Sequence, residues 1–345
     1  MGKYNLITPP SPHFHDKSST TRVMLDVIIA LLPATIAALI IFGLKALCLI
    51  SVCVLTAVLS ETIFNLIVKR KNTVGDLSCI VTGLLLALNL GTEVKVWQAA
   101  VGTLFSIVVV KMLFGGIGKN FANPAIAGRV FLLDSYSTVT SFSNPIGVEL
   151  VTSATPLVIL SQNELSSMPS MAQMLLGLHG GTIGETCIIA LVIGWIYLSV
   201  RGVIKWYVPL SYILTVFVLY FFATFDPYYA FLEILSGGLF LGAIFMATDY
   251  VTTPITNKGK VVFCILCGIL TFIIRRFCSL PEGVSFSILI MNIFTPYIEK
   301  LTHTVPLGGS TNAKKEIISV FTCFNYISCG YCFAFTPQYR YSSNN

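Results

Sequence analysis

The sequence predicts an all-α integral membrane protein with about ten transmembrane helices, arranged as two inverted five-helix repeats. Apolar residues make up 55% of the 345-residue chain and charged residues only 10%, whereas a soluble chain has about a quarter charged residues. Apolar runs recur along the chain at about the length needed to cross a hydrocarbon core. Lys and Arg fall mostly in short segments between these runs.

The apolar runs divide the chain into two units of five predicted spans. The first unit covers 23–133 and the second 182–300. The predicted spans are 23–43, 46–68, 77–90, 96–113, 120–133, 182–200, 207–225, 232–247, 261–274 and 284–298. The third, fifth and ninth are short, which predicts tilted, broken or re-entrant segments.

The remaining segments are an N-terminal arm at 1–22, a loop at 134–181 and an atypical C-terminal tail at 301–345. The arm contains Lys3, Lys17 and Arg22, and the loop has no Lys or Arg. By the positive-inside rule, the N-terminus is cytoplasmic and the loop faces outward. The net charge of +6 therefore reflects membrane orientation, and we expect no nucleic-acid partner. Arg275 and Arg276 form the one basic pair on the wrong side of this topology.

Internal symmetry follows from the odd number of spans in each unit. A duplicated five-span unit inserts upside down, and such repeats place ligand or ion sites near the membrane midplane at broken helices. The sequences at 83–86 and 238–241, Gly-Leu-Leu-Leu and Gly-Leu-Phe-Leu, are similar, which is weak evidence for such a repeat.

A hydroxyl among small residues marks the outward loop. Thr155 lies in the segment 151–157, near Ser153, and Pro156 holds Thr155 in an extended conformation. A modifying enzyme could reach this side chain. An ordinary Ser/Thr turn is the alternative interpretation.

Two asparagines at a predicted helix start form a second candidate site. Asn120 and Asn123 follow three glycines at 115, 116 and 118, and their spacing puts both amides on one helix face. Such amides suit the edge of a polar heterocycle, and helix capping is the alternative.

Acidic residues in or beside the spans form a third group: Glu61, Asp249, Asp26 and Asp76. Intramembrane carboxylates usually mark ion or proton routes, although Asp76 and Asp249 at span ends could equally cap helices. Arg129, within the fifth span, needs a partner or an anionic ligand. Two Cys-x-x-Cys pairs, 264/267 and 329/332, are a weak metal signal, and we predict neither a metal site nor a catalytic residue in this chain.

The chain also resembles a known family from about residue 11 to 300. Matching stretches include 83–88, 119–133, 152–157, 245–252 and 281–286. It is similar to the D component of the Rnf complex, an ion-translocating ferredoxin:NAD oxidoreductase, and more distantly to the B component of the sodium-pumping NADH:quinone reductase. The tail departs from this pattern, and 312–324 looks like the opening of the neighbouring, flavin-bearing G component.

The resemblance implies a flavoprotein. Thr155 would carry FMN through a phosphoester, attached by a flavin transferase, with Ser153 in the same acceptor segment. Asn120 and Asn123 would contact a second, non-covalent flavin, riboflavin. Glu61 and Asp249 become candidates for the cation route, with Asp26 and Asp76 weaker ones.

The resemblance also implies partners and a location. The chain would be a translocase subunit in the bacterial plasma (inner) membrane, together with the A, B, C, E and G components of the Rnf complex, and would relay electrons coupled to Na⁺ or H⁺ transport. From the residues alone, an inverted-repeat channel or solute carrier without a redox role remains the main alternative. A purely structural subunit is a second alternative.

Overall fold

A computed structural model describes residues 19–136, 139, 142, 155–162, 168–278 and 282–302. Every regular element assigned within these ranges is a helix, which confirms the all-α prediction. Most of the predicted N-terminal arm, Ser153, most of the outward loop and the tail after residue 302 lie outside the described residues.

The first half of the chain contains five helices and one short 3₁₀ turn at Val74–Asp76. The helices are α1 (Thr20–Phe42), α2 (Leu44–Val68), α3 (Ser78–Leu88), α4 (Val96–Leu104, continuing as a π-helix over Phe105–Met112) and α5 (Pro124–Ser135). Ser19 caps α1, because its side chain accepts a hydrogen bond from the Arg22 backbone N–H at 3.3 Å.

The second half begins with two short helices and continues with longer ones. They are α6 (Pro156–Ser161), α7 (Met171–Leu176), α8 (Ile188–Val200), α9 (Tyr207–Thr224), α10 (Pro227–Leu235), α11 (Leu239–Leu241, continuing as a π-helix over Gly242–Met246), α12 (Asn257–Phe277) and α13 (Val284–Thr302).

By length and composition, three described helices can each cross a membrane: α1, α2 and α9. The bent pair Pro227–Leu235 and Leu239–Met246 gives a fourth if it counts as one span. Shorter apolar helices cover Ser78–Leu88, Val96–Met112 and Ile188–Val200. The chain therefore has the composition of a multi-pass membrane protein, and the count of ten remains a prediction.

The prediction of short segments is correct for α3 and α5, which have 11 and 12 residues. It is wrong for the ninth span, because α12 runs for 21 residues. The apolar run is shorter than the helix because basic residues occupy both helix ends. Long basic side chains can lie along an apolar surface, so they do not end the helix. Thr256 caps its start by accepting from the Gly259 N–H at 3.0 Å.

The break falls instead in the eighth span, where α10 and the following segment meet at 68°. Gly237 has a φ of 68°, which favours glycine. A Cβ on Gly238 would lie 2.2 Å from Glu185 Oε1, so this glycine lets the segment before α8 approach closely. The break is therefore set by a contact that the apolar run does not encode.

The end of α3 depends on that same segment. The backbone N–H of Gly184 donates to Leu88 O at 2.7 Å, and that of Ile183 donates to Leu90 O at 2.9 Å. These bonds satisfy carbonyls that a short helix would leave unpaired within protein at membrane depth. One half of the chain thus completes a helix of the other.

Helix packing joins the two halves through α1 with α8 and α5 with α13. Within the halves, α2 contacts α3 and α4, as α9 contacts α10 and α12. One large apolar cluster contains residues from both halves, and two smaller ones lie beside it in the described residues.

Of the basic pair that disagreed with the predicted topology, Arg275 has a local explanation. Arg275 is buried at the end of α12, where its guanidinium donates to Glu233 O at 2.8 Å and Ser236 O at 3.1 Å. It also lies 3.4 Å from Glu233 Oε2. Arg275 therefore hydrogen-bonds the backbone carbonyls at the break after α10, and it is not a free cation in a loop.

Candidate functional site

The predicted asparagines line a cavity of about 770 Å³ that is open to the surface. Its wall, here called the asparagine cavity, includes Asn120, Asn123, Lys111, Ser78 and Asp249. The structure therefore brings Asp249, predicted for an ion route, next to the two residues predicted for a flavin.

Both asparagines are buried and make local hydrogen bonds. Asn123 caps α5, with its Oδ1 accepting from the Ala125 N–H at 3.0 Å, which confirms the capping interpretation for this residue. Asn120 Nδ2 donates to Ala122 O at 3.0 Å. Among the described residues, Asn123 Nδ2 and Asn120 Oδ1 have no further partner, which leaves one amide nitrogen and one amide oxygen at the cavity wall for a ligand.

A buried ion pair adjoins this cavity. Lys111 Nζ donates to Glu61 Oε2 at 2.6 Å and to Ser78 Oγ at 2.7 Å. The Thr73 hydroxyl donates to Glu61 Oε1 at 2.5 Å. Glu61 is fully buried, as its apolar surroundings in the sequence suggested, but it is paired. The sequence-based candidates did not include Lys111, although a lone cation inside an apolar run is a signal for a buried partner.

The other predicted acids have separate partners. Asp26 accepts from the Arg201 guanidinium, with both contacts at 3.2 Å, and from the Tyr197 hydroxyl at 3.0 Å, so it joins α1 to α8. Asp249 accepts from the Thr252 hydroxyl at 3.0 Å within its own turn. Asp76 is half-buried in the 3₁₀ turn before α3. The structure therefore does not gather the four acids into one cluster.

Thr155 is the N-cap residue of α6, with Pro156 in the first helical position. Its Oγ1 accepts weakly from the Val158 N–H at 3.4 Å, and the residue is half-buried. It lines a second cavity of about 310 Å³, here called the threonine cavity, together with His179, Thr182 and other residues. Thr155 therefore lies at the edge of a small cavity of mixed apolar and polar lining.

Two side chains in this cavity wall have unsatisfied polar atoms. His179 Nδ1 lies 3.0 Å from Gly180 O, while His179 Nε2 and Thr182 Oγ1 are buried without a hydrogen-bond partner among the described residues. Burial lowers the pKa of His179, which favours a neutral imidazole. Unpaired buried polar atoms are costly, so they indicate a bound group or water at this position.

A buried cluster centred on Arg129 adjoins the same cavity. Its guanidinium donates to Glu185 Oε1 at 2.7 Å and also to Glu282 and Asn89. Glu185 and Glu282 line the threonine cavity. The prediction that Arg129 needs a partner is confirmed, but the sequence did not identify its two acids.

Cys264 and Cys267 are buried in α12 as free thiols, and Cys329 and Cys332 lie outside the described residues. Within the described ranges, no group of three or more His, Cys, Asp or Glu residues has the arrangement of a metal site.

Comparison with known proteins gives consistent matches along nearly the whole chain. The sequence profile of the NQR2, RnfD, RnfE family matches residues 7–308. The chain is 44% identical to the D component of the Na⁺-translocating ferredoxin:NAD⁺ oxidoreductase complex of Acetobacterium woodii, over 92% of this chain and 99% of the relative. It is 37% identical to the D component of the proton-translocating ferredoxin:NAD⁺ oxidoreductase complex of Clostridium ljungdahlii, over 89% of this chain and 97% of the relative.

A more distant relative is the D component of the ion-translocating oxidoreductase complex of Stutzerimonas stutzeri, which is 34% identical over 89% of this chain and 97% of its own length. Because the family profile and these relatives cover most of its length, the chain belongs to the NQR2, RnfD, RnfE family.

Proposed function

We propose that this chain is the membrane-embedded D component of a bacterial ion-translocating ferredoxin:NAD oxidoreductase complex of the Rnf type. The observation that carries the proposal is similarity along most of the chain to relatives named for that role, combined with Thr155 at the edge of a cavity that also contains His179 and Thr182. The chain would position flavins for electron relay while the complex moves Na⁺ or H⁺ outward.

The proposed topology has ten crossings in two inverted repeats, with the N-terminus in the cytoplasm of the bacterial inner membrane. The helix contacts support it, because α2 packs against α3 and α4 as α9 packs against α10 and α12. The pairs α1–α8 and α5–α13 then relate equivalent helices of the two units.

We assign covalent FMN to Thr155, attached through its phosphate by a flavin transferase. The residues around Thr155 fit such a group, since the hydroxyl is half-buried and the adjoining cavity contains the unpaired His179 Nε2 and Thr182 Oγ1. Ser153, a further candidate in the acceptor segment, lies outside the described residues. The flavin would supply the redox chemistry, and this chain would orient it.

A second, non-covalent flavin, riboflavin, is proposed for the asparagine cavity. Apolar side chains, among them Val27, Leu85 and Phe245, line the cavity, and the free amide nitrogen of Asn123 and amide oxygen of Asn120 suit the polar edge of the ring.

The cation route is proposed to use the buried acids. Glu61 is fully buried and Asp249 lines the asparagine cavity, which supports these two over Asp26 and Asp76. The names of the relatives include both Na⁺ and proton translocation, so both ions are retained. The proposed protein partners are the A, B, C, E and G components of the complex.

The decisive experiment is in-gel ultraviolet fluorescence of the denatured chain, co-expressed with a flavin transferase. We expect a fluorescent wild-type band that disappears in Thr155→Val. Thr224→Val is the matched control, because Thr224 is also half-buried but its hydroxyl donates to Tyr220 O within α9; it should keep the signal. A dark wild-type band, from chain expressed with an active transferase, would contradict the proposal and favour a channel or solute carrier.

A further inference from the structure

Lys111 occupies an unusual position between the two kinds of predicted site. It is 3% exposed, yet it lines the asparagine cavity together with Ser78. Glu61 lies behind it, in contact with the ammonium but outside the cavity lining. Lys111 therefore connects a buried acid to the wall of the asparagine cavity.

The hydrogen bonding of Lys111 is incomplete. An ammonium has three donors, and two of them are directed to Glu61 and Ser78. Among the described residues it has no third acceptor. A purely structural ion pair would satisfy its donors within the protein, because an unmet donor is costly in a low-dielectric interior.

The polar groups of the wall have the donors and the acceptor that one ring edge requires. Lys111 offers a donor, Asn123 Nδ2 offers a second, and Asn120 Oδ1 offers an acceptor. The edge of a flavin pyrimidine ring alternates carbonyl acceptors with an N–H donor, which is the pattern that these groups would bind.

We propose that Lys111 is a flavin-binding residue of the asparagine cavity, and that its ammonium raises the reduction potential of the flavin held there. This inference rests on the proposed second flavin. A reduced flavin ring is more electron-rich than an oxidised one, so a nearby buried cation binds the reduced form more strongly. The negative charge of Glu61, on the side of Lys111 away from the cavity, weakens the positive potential at the flavin. A candidate ion-route carboxylate is therefore coupled electrostatically to the flavin.

The test uses the full-length chain with Thr155→Val, so that only non-covalent flavin contributes. Acid precipitation releases and quantifies this flavin, and a dye-coupled titration measures its reduction potential. The key variant is Lys111→Met combined with Glu61→Gln, because removing both charges avoids leaving one buried and unpaired. Lys111→Arg retains the cation. Lys45→Met is the matched control, since Lys45 forms an exposed pair with Glu93 and does not line the cavity.

We expect the double variant to lose about tenfold in the preference for reduced over oxidised flavin, the effect of one charge-assisted hydrogen bond. For a two-electron couple, this lowers the potential by about 30 mV. Lys111→Arg and Lys45→Met should remain within about twofold of the background protein, as expected when the charge near the ring is kept.

Two results would overturn the inference, and they are distinguishable. Normal flavin content with an unchanged potential in the double variant would remove the role of Lys111 and leave the second-flavin proposal intact. The absence of acid-released flavin from the Thr155→Val chain would overturn both.

Discussion

Lys111 and Arg129 are both buried cations, each 3% exposed, but their surroundings differ in charge. Lys111 faces one carboxylate, that of Glu61, and a hydroxyl. Arg129 faces two carboxylates, those of Glu185 and Glu282, and an amide. Counted with both acids ionised, the first pair is neutral and the second cluster carries one excess negative charge.

This difference follows from the two side chains. An ammonium is a compact point charge, whereas a guanidinium presents a planar fork of five donors that can contact several acceptors at once. The asparagine cavity therefore adjoins a balanced pair, and the threonine cavity adjoins an excess of acid. The two cavities therefore suit different ligand environments, and of the two only the asparagine cavity is lined by described helices of both halves.

Arg129→Met should have the largest effect on stability. It leaves Glu185 and Glu282 without their shared cation, and breaking a buried pair in this way costs about 3–5 kcal/mol. We expect little folded protein, measured as a monodisperse peak and a thermal midpoint in detergent. Lys45→Met, at an exposed pair, should cost about 1 kcal/mol or less. An Arg129→Met chain as stable as that control would show that the cluster is unimportant for folding.

Lys111→Met should have the next largest effect, since it leaves only Glu61 unpaired. We expect a loss near the lower end of the range of about 3–5 kcal/mol. Adding Glu61→Gln should recover most of the loss, because a balanced pair can be removed as a unit. A double-mutant cycle compares the thermal midpoints of the wild type, Lys111→Met, Glu61→Gln and the double variant. Additive losses would mean that the two side chains do not interact as the structure indicates.

Glu282→Gln should have the smallest effect and should change mainly the pH dependence. Burial raises the pKa of Glu282 to about 7, from an ordinary value of 4.5. Between these two values the folded chain holds a proton that the unfolded chain has released, so the contribution of this group to stability falls as pH rises.

The thermal midpoint of the wild type should therefore decrease from pH 5 to pH 8 by more than that of Glu282→Gln. Glu93→Gln is the control, because Glu93 is in an exposed pair. Equal pH profiles for wild type and Glu282→Gln would mean that Glu282 is already ionised at pH 5 in the folded chain.

The sequence by itself determined the helical class and the approximate positions of the long apolar helices. Apolar runs and flanking basic residues are local signals, so α1, α2 and α9 begin and end within a few residues of the predicted spans. Capping by Asn123 was one of the two sequence interpretations, whereas the helix that begins at Pro156 and is capped by Thr155 was not predicted.

Only the tertiary structure decided which charges meet. Glu61 pairs with a lysine 50 positions away, and Arg129 pairs with acids 56 and 153 positions away. It also decided the break before α11, where Glu185 packs against Gly238 from a distant segment. Such contacts depend on how the two halves pack, and a buried charge takes the partner that packing brings within hydrogen-bond distance.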